Sequence, residues 1–326
     1  MKGLRSFLHM LRLPQSEAEV YCREKRWERY EAYGGRVRFL RLHTLAHRVL
    51  LPLMRAELYL GGKRLTILRD ASHPTRRPVI YCPTHIGGVD VEMSFVAARL
   101  PCWLMLGDPR ELYKGFSGFM LQMSGLIPLD TLVKSDRLAA RAQMKSLLDA
   151  GGRLLIFPEG VQNISENALV NQLYAGAVEH AIICGAEIIP LALVREGNAY
   201  YCVVGENIRY EGHTHEERFA LTTALRDSMA SLVWEILEQR PALRRQEVTQ
   251  QDRQDFLRQV VETDADYSWT IEDAIRTQFH PKSITEPAEA FAHLAAIEPS
   301  HNTSFLFNKR LQGTPKAFPF GGSSAR

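Results

Sequence analysis

Between residues 78 and 204 short apolar runs, too brief to be helices, alternate with segments of helical period, and each run breaks off at a glycine, a proline or a polar side chain. Runs over 78–82, 102–106, 126–130, 153–157, 187–194 and 199–204 read as strands. Segments over 90–99, 112–123 and 172–184 read as helices, as does one capped by Ser135 or Asp136 and closed at Gly151–Gly152. A strand, a helix and a further strand in succession call for a crossover connection. The expected fold class is therefore α/β, a mainly parallel sheet flanked by helices, with a helical pair before it and a helical tail after it.

Outside that stretch the pattern predicts a helix over 16–32 ended by Gly34–Gly35, and a second from Arg36 that Pro52 kinks or ends. Residues 57–60 and 64–68 read as two short strands around Gly61–Gly62. A helix over 214–239 is expected to pack back across the sheet, and shorter ones are expected over 248–262 and 270–278. The small, polar residues 321–326 are expected to be disordered.

Within the alternating stretch, Val79, Ile80 and Tyr81 deliver His85 just past a strand end, on a Gly87–Gly88 connection, and Asp90 opens the next helix. That spacing lets Asp90 fold back onto the imidazole, fixing its tautomer and leaving the other ring nitrogen to take a proton. With 11 histidines in the chain the spacing alone is weak, and a loop histidine beside a helix-capping aspartate fits it as well. Support comes from the strand 153–157, which runs directly into Pro158, Glu159 and Gly160. Both polar groups then lie at the carboxyl ends of strands, where open α/β sheets bind their ligands. Gly87, Gly88 and Gly160 bring backbone amides to the same edge without side-chain cover, so donors there can stabilise a developing oxyanion.

Five cysteines without ligand spacing read as buried thiols of a reducing compartment, Cys82 included despite its closeness to His85. No run approaches the ~20 apolar residues of a spanning helix, and no signal peptide is expected. The charge is uneven: residues 1–64 hold 14 Lys or Arg against six Glu, a local +8, so the remainder carries −5 of the total +3. In the second helix Leu42, Leu45, Ala46, Val49 and Leu53 form one apolar stripe, with Arg38, Arg41, His47, Arg48 and Arg55 on or beside the opposite face. Such a helix either packs on the core or lies on an anionic bilayer; no nucleic-acid module accompanies it.

Four blocks taken in order resemble the glycerolipid acyltransferase family, the enzymes that acylate glycerol phosphate and lysophosphatidic acid. They are His85–Asp90, the Gly125–Asp130 segment, Phe157–Gly160 and the proline-bearing strand Ile188–Val194. The resemblance covers roughly residues 55–210 and implies an acyl transfer from acyl-CoA or acyl-carrier protein to a hydroxyl of a lysophospholipid-type acceptor. It implies His85 as general base, Asp90 as its orienter and Glu159 as a holder of the acceptor or the loops. Substrate contacts are expected at Gly87, Gly88, Arg110, Thr131, Pro158, Gly160 and Gln162, with no metal and no cofactor beyond the acyl donor. The implied organisation is a membrane-contact segment over 1–56, a catalytic domain over 57–242 and an extension over 243–326, in a cytoplasmic protein peripheral to the inner face of the membrane.

The departures carry information as well. Where the family presents cations to the acceptor phosphate, this chain has Thr131, Val161 and Gln162, and only Arg110 stands near the position of a family lysine. Either the acceptor is a hydroxyl or amine without a phosphomonoester, or Arg110, Lys114, Lys134 and Arg137 supply the charge from shifted positions. A lipid-binding homologue without catalysis and a hydrolase are the remaining alternatives.

Overall fold

The computed structural model describes residues 9–10, 12–107, 121–131, 133–165, 168–240, 247–261 and 270–279. The chain divides into two units, Met1–Phe279 and His280–Arg326, of which the second lies wholly outside the described residues. So do Arg110, Lys114 and most of the helix expected over 112–123; the described residues 121–124 are helical.

Seven strands form one sheet: β1 (Arg64–Asp70), β2 (Val79–Pro83), β3 (Trp103–Gly107), β4 (Leu126–Leu129), β5 (Arg153–Ile156), β6 (Glu187–Glu196) and β7 (Ala199–Val204). Their order is β1-β7-β6-β2-β5-β3-β4, and every neighbouring pair is parallel except β6 with β7. The exception follows from chain length, because Gly197 and Asn198 alone separate these two strands and a two-residue link permits only a hairpin. β2 occupies the middle of the sheet, so its alternate side chains enter two different cores. Ile80 and Cys82 face one cluster with Leu154, Met144 and Met229, while Val79 and Tyr81 face another with Leu51, Met93 and Phe95. A strand covered on both faces reads as a continuous apolar run, which is how residues 79–82 look.

Helices α1 (Gln15–Tyr33) and α2 (Leu40–Leu60) precede the sheet; α3 (Asp90–Ala98), α4 (Lys134–Asp149) and α5 (Gly176–Cys184) are its crossovers. A 3-10 turn at His215–Glu217 leads into α6 (Arg218–Glu238), which packs along β6 and β7. Helices α7 (Gln250–Val261) and α8 (Ile271–Thr277) follow. α1 is tied to α4 by a buried bidentate pair, Arg26 Nε to Asp136 Oδ1 at 2.9 Å and Nη2 to Oδ2 at 2.8 Å, and to the loop after β4 by Arg23 Nη1 on Asp130 Oδ2 at 3.0 Å. Asp136 is therefore an anchor for α1, not the helix cap expected of it; the N-cap position is Val133.

Two further expectations fail for identifiable reasons, and Pro52 does not end its helix. Residues 57–60 continue α2 instead of forming a strand, because Leu58 falls seven residues after Leu51 and both are buried on one helical face. Pro52 lies inside that helix at an exposed position, where water can satisfy the carbonyl whose amide partner it lacks. The helix expected from 172 begins at Gly176, since Asn171 N donates to Glu159 Oε2 at 2.7 Å and Tyr174 N to Pro158 O at 2.8 Å. Of the cysteines, Cys82, Cys102 and Cys202 are buried, Cys22 and Cys184 only half so, and none is bridged.

Candidate active site

Parallel β2, β3, β4, β5 and β6 all end at the same edge of the sheet, and the candidate residues gather where β2 and β5 lie side by side. β2 is prolonged by Thr84 after the donor-less Pro83: its amide donates to Leu191 O at 2.9 Å, and its buried hydroxyl accepts from Leu193 N at 2.9 Å. His85 is thereby held immediately beyond the pairing with β6.

The ring of His85 is fixed from two sides. Nδ1 donates to Asp90 Oδ2 at 2.8 Å, and the same oxygen accepts the amides of Ile86 and Gly87, each at 2.8 Å. Asp90 sits in the first turn of α3, where the helix dipole favours a carboxylate, and is 2% exposed. Phe157 packs a tilted ring against the imidazole with centroids 4.3 Å apart. With the proton on Nδ1, Nε2 is an acceptor, and no described residue pairs with it. The His85 side chain is 15% exposed, so that nitrogen is within reach of a substrate.

Glu159 lies beneath, 1% exposed, with Oε1 accepting His85 N at 2.8 Å and Oε2 accepting Asn171 N. Burial pushes its carboxyl up to about 7, outweighing the two amides that favour its charge. It links the turn after β2 to the loop before α5, and both oxygens are used in doing so.

The three glycine amides expected to face a substrate are spent inside the protein. Gly87 N goes to Asp90, Gly88 N to Val260 O at 3.3 Å, and Gly160 N to Phe157 O at 3.1 Å. Gly87 adopts φ 77°, which a side chain rarely tolerates, and a Cβ there would stand 2.0 Å from Val260 O. Pro158 is buried in the turn, its carbonyl taken by Tyr174. Val161 is buried, while half-buried Gln162 holds its Oε1 out of water with no partner among the described residues. Thr131 follows β4, three strands from β2 and so roughly 14 Å across the sheet, and its carbonyl accepts Arg137 Nη1 at 2.6 Å. The fold thus groups His85, Asp90, Glu159, Gly87, Gly88, Pro158, Gly160 and Gln162 and leaves Thr131 apart.

Sequence reasoning assigned no role to Phe157, although it opens the Phe157–Gly160 block, and did not point to Asn171, Arg195 or Val260. Phe157 was open to discovery, because it directly precedes Pro158 at a strand end. Asn171 contributes a backbone amide and Val260 a carbonyl, and neither group has a residue-type signature. Cys82, close to His85 in sequence, is fully buried with its thiol pushed strongly up by desolvation, so it is no candidate nucleophile. Among the described residues no group of three or more His, Cys, Asp or Glu could hold a metal, and no helix is long and apolar enough to cross a membrane.

Residues 64–194 match a family model described as Acyltransferase. No curated protein sequence matches the chain. Among solved structures it is similar to the crystal structure of the 1-acyl-sn-glycerophosphate (LPA) acyltransferase, PlsC, from Thermotoga maritima, at 15% identity and a TM-score of 0.47, covering 74% of this chain and 90% of that one. The turn that pairs His85 with Asp90 and the turn that buries Glu159 both fall inside the stretch that is similar to the Acyltransferase family model.

Proposed function

We propose that the protein transfers a fatty acyl group from the thioester of acyl-CoA or an acyl-carrier protein to a hydroxyl of a lysophospholipid- or glycerolipid-type acceptor, with His85 as general base. The observation that carries this reading is the Asp90–His85 pair, which commits Nδ1 and leaves Nε2 to take a proton. The acceptor oxygen attacks the thioester carbonyl as Nε2 removes its proton. The tetrahedral intermediate then breaks the C–S bond, and the proton passes from His85 to the departing thiolate. Asp90 steadies the imidazolium between these steps. Direct transfer without an acyl-enzyme fits the absence of a usable thiol at Cys82.

Contact with an anionic bilayer is part of the proposal. Leu42, Leu45, Val49 and Leu53 of α2 are 53–59% exposed, because the helix turns His47, Leu51 and Leu58 inward instead, with His47 edge-on against Phe95 of α3. Arg38, Arg41, Arg48 and Arg55 are exposed on the same helix or just before it. Apolar side chains beside arginines suit the headgroup boundary.

A second reading, an acceptor without a phosphomonoester, is favoured by Gln162. Its buried Oε1 has no partner among the described residues and can accept from a hydroxyl or amine, while its neutral side chain offers a phosphate no charge. The exposed Lys134 and Arg137 near Thr131 are the cations that the phosphate reading would use. A panel of glycerol 3-phosphate, lysophosphatidic acid and monoacylglycerol decides, with thiol release measured for each and with none. Transfer requires release that depends on an acceptor; equal release without one, with free acid as product, means hydrolysis. Two missing charge-assisted bonds of ~1.5 to 3 kcal/mol each would disfavour phosphorylated acceptors ~100-fold or more. Lysophosphatidic acid as the best acceptor would reject the second reading.

A further inference from the structure

The carboxyl end of α7 rests on the turn that carries His85. Gly88 N donates to Val260 O, and Arg195 Nη1 donates to Gln259 O at 2.7 Å. A loop amide and a guanidinium from the end of β6 thus bond two carbonyls at that end of α7. The fit is close: Val260 is 3% exposed, and a Cβ on Gly88 would stand 2.5 Å from Arg195 Nη1 and 2.6 Å from Tyr200 Oη. Tyr200 Oη in turn accepts Val89 N at 3.4 Å.

A second contact comes from the end of α8. Gln278 Nε2 donates to Asn171 Oδ1 at 3.4 Å, and the Phe279 ring lies on Tyr174 with centroids 4.4 Å apart. Asn171 and Tyr174 are the residues whose amides hold Glu159 and Pro158. Residues 247–261 and 270–279 therefore reach both loops of the site, each by its own contacts.

We propose that α7 and the residues after α8 are a positioning element of the transfer site, holding Gly87–Gly88 and Asn171–Tyr174 so that His85 meets Asp90 in register. This rests on the proposed acyl transfer for its kinetic consequence, though not for its structural one. Displacement of a catalytic group by about 1 Å costs ~10²-fold in rate.

The test uses the full chain with Arg195→Ala, Arg195→Lys, Val260→Asp, Phe279→Ala and Phe279→Tyr, each examined by hydrogen exchange and by kinetics. Arg195→Ala and Val260→Asp should speed exchange over 84–93, and Phe279→Ala over 170–175. Each should lower kcat, by up to ~10²-fold, with KM for the thioester changed by less than about twofold. Arg195→Lys and Phe279→Tyr should recover part of the loss. Faster exchange with unchanged kcat would reduce α7 to packing, and a higher kcat would mean that it masks the Gly88 amide; either overturns the proposal. Unchanged exchange overturns it whatever reaction the protein performs. Should Val260→Asp fail to fold, the Arg195 pair decides alone. If wild type transfers no acyl group, exchange still reports on the clamp while the functional reading falls.

Discussion

The turn after β2 and the outer face of α2 treat their side chains in opposite ways. Around His85 nearly every polar group is committed within the protein: one Asp90 oxygen takes three donors, and Glu159 takes two amides. On α2 the apolar stripe from Leu42 to Leu53 is committed to nothing in the described chain. A site that must hold a proton acceptor within a fraction of an ångström needs many mutual constraints. A surface that meets a fluid bilayer needs none, only area and charge. The contrast suggests that chemistry and placement are separable in this molecule, and substitutions in the two regions should show it.

The largest separation is expected at His85. His85→Ala should lower the transfer rate by ~10²- to 10⁴-fold, and Asp90→Asn by less, while binding to anionic vesicles stays at the wild-type level. Initial rates of thiol release and vesicle co-sedimentation on the same samples measure both. Retention of more than about a tenth of the rate by His85→Ala would dismiss it as the base.

Glu159 gives a stability effect that the α2 surface has no means of producing. Its carboxyl titrates near 7 in the folded protein against an ordinary value of 4.5, so the folded state keeps the proton longer than the unfolded chain does. Its contribution to stability is thus fully present below about pH 4.5 and lost as pH rises through about 7. Denaturant unfolding at both ends of that window should show wild type losing up to ~3 kcal/mol more than Glu159→Gln. Parallel losses in the two proteins would mean that the carboxyl is solvated.

The smallest effects belong to α2. Leu45→Ser should weaken binding to anionic vesicles about tenfold, and Arg41→Gln about fivefold, the second vanishing at high salt. Rates on an acceptor dispersed without vesicles should not change for either. A loss of rate there would break the separation between chemistry and placement. Vesicle binding that ignores both substitutions would remove α2 from the bilayer.

Local pattern was enough for much of the fold. β2, β5 and β7 fall within one residue of their expected bounds at each end, and α1 and α7 within two, because their apolar periods and their glycine stops are local facts. Failures occurred where distant groups competed for the backbone. The start of α5 was displaced by amides already bonded to Glu159 and Pro158, and Asp136 was drawn from capping to Arg26, 110 positions away. The site divides in the same way. The placement of His85, Asp90 and Glu159 side by side was legible because strand ends in a parallel sheet converge on one edge.

What the amino-acid order determined by itself is therefore the parallel α/β plan, the basic front and the three side chains at the strand ends, all consequences of period, spacing and composition. Only the tertiary structure decided which face of α2 looks outward, since helical period locates a stripe without saying what lies against it. Only it decided where the amides of Gly87, Gly88 and Gly160 go. Backbone groups are the same at every residue, and their partners, such as Val260 O, depend on which distant segment the fold brings alongside.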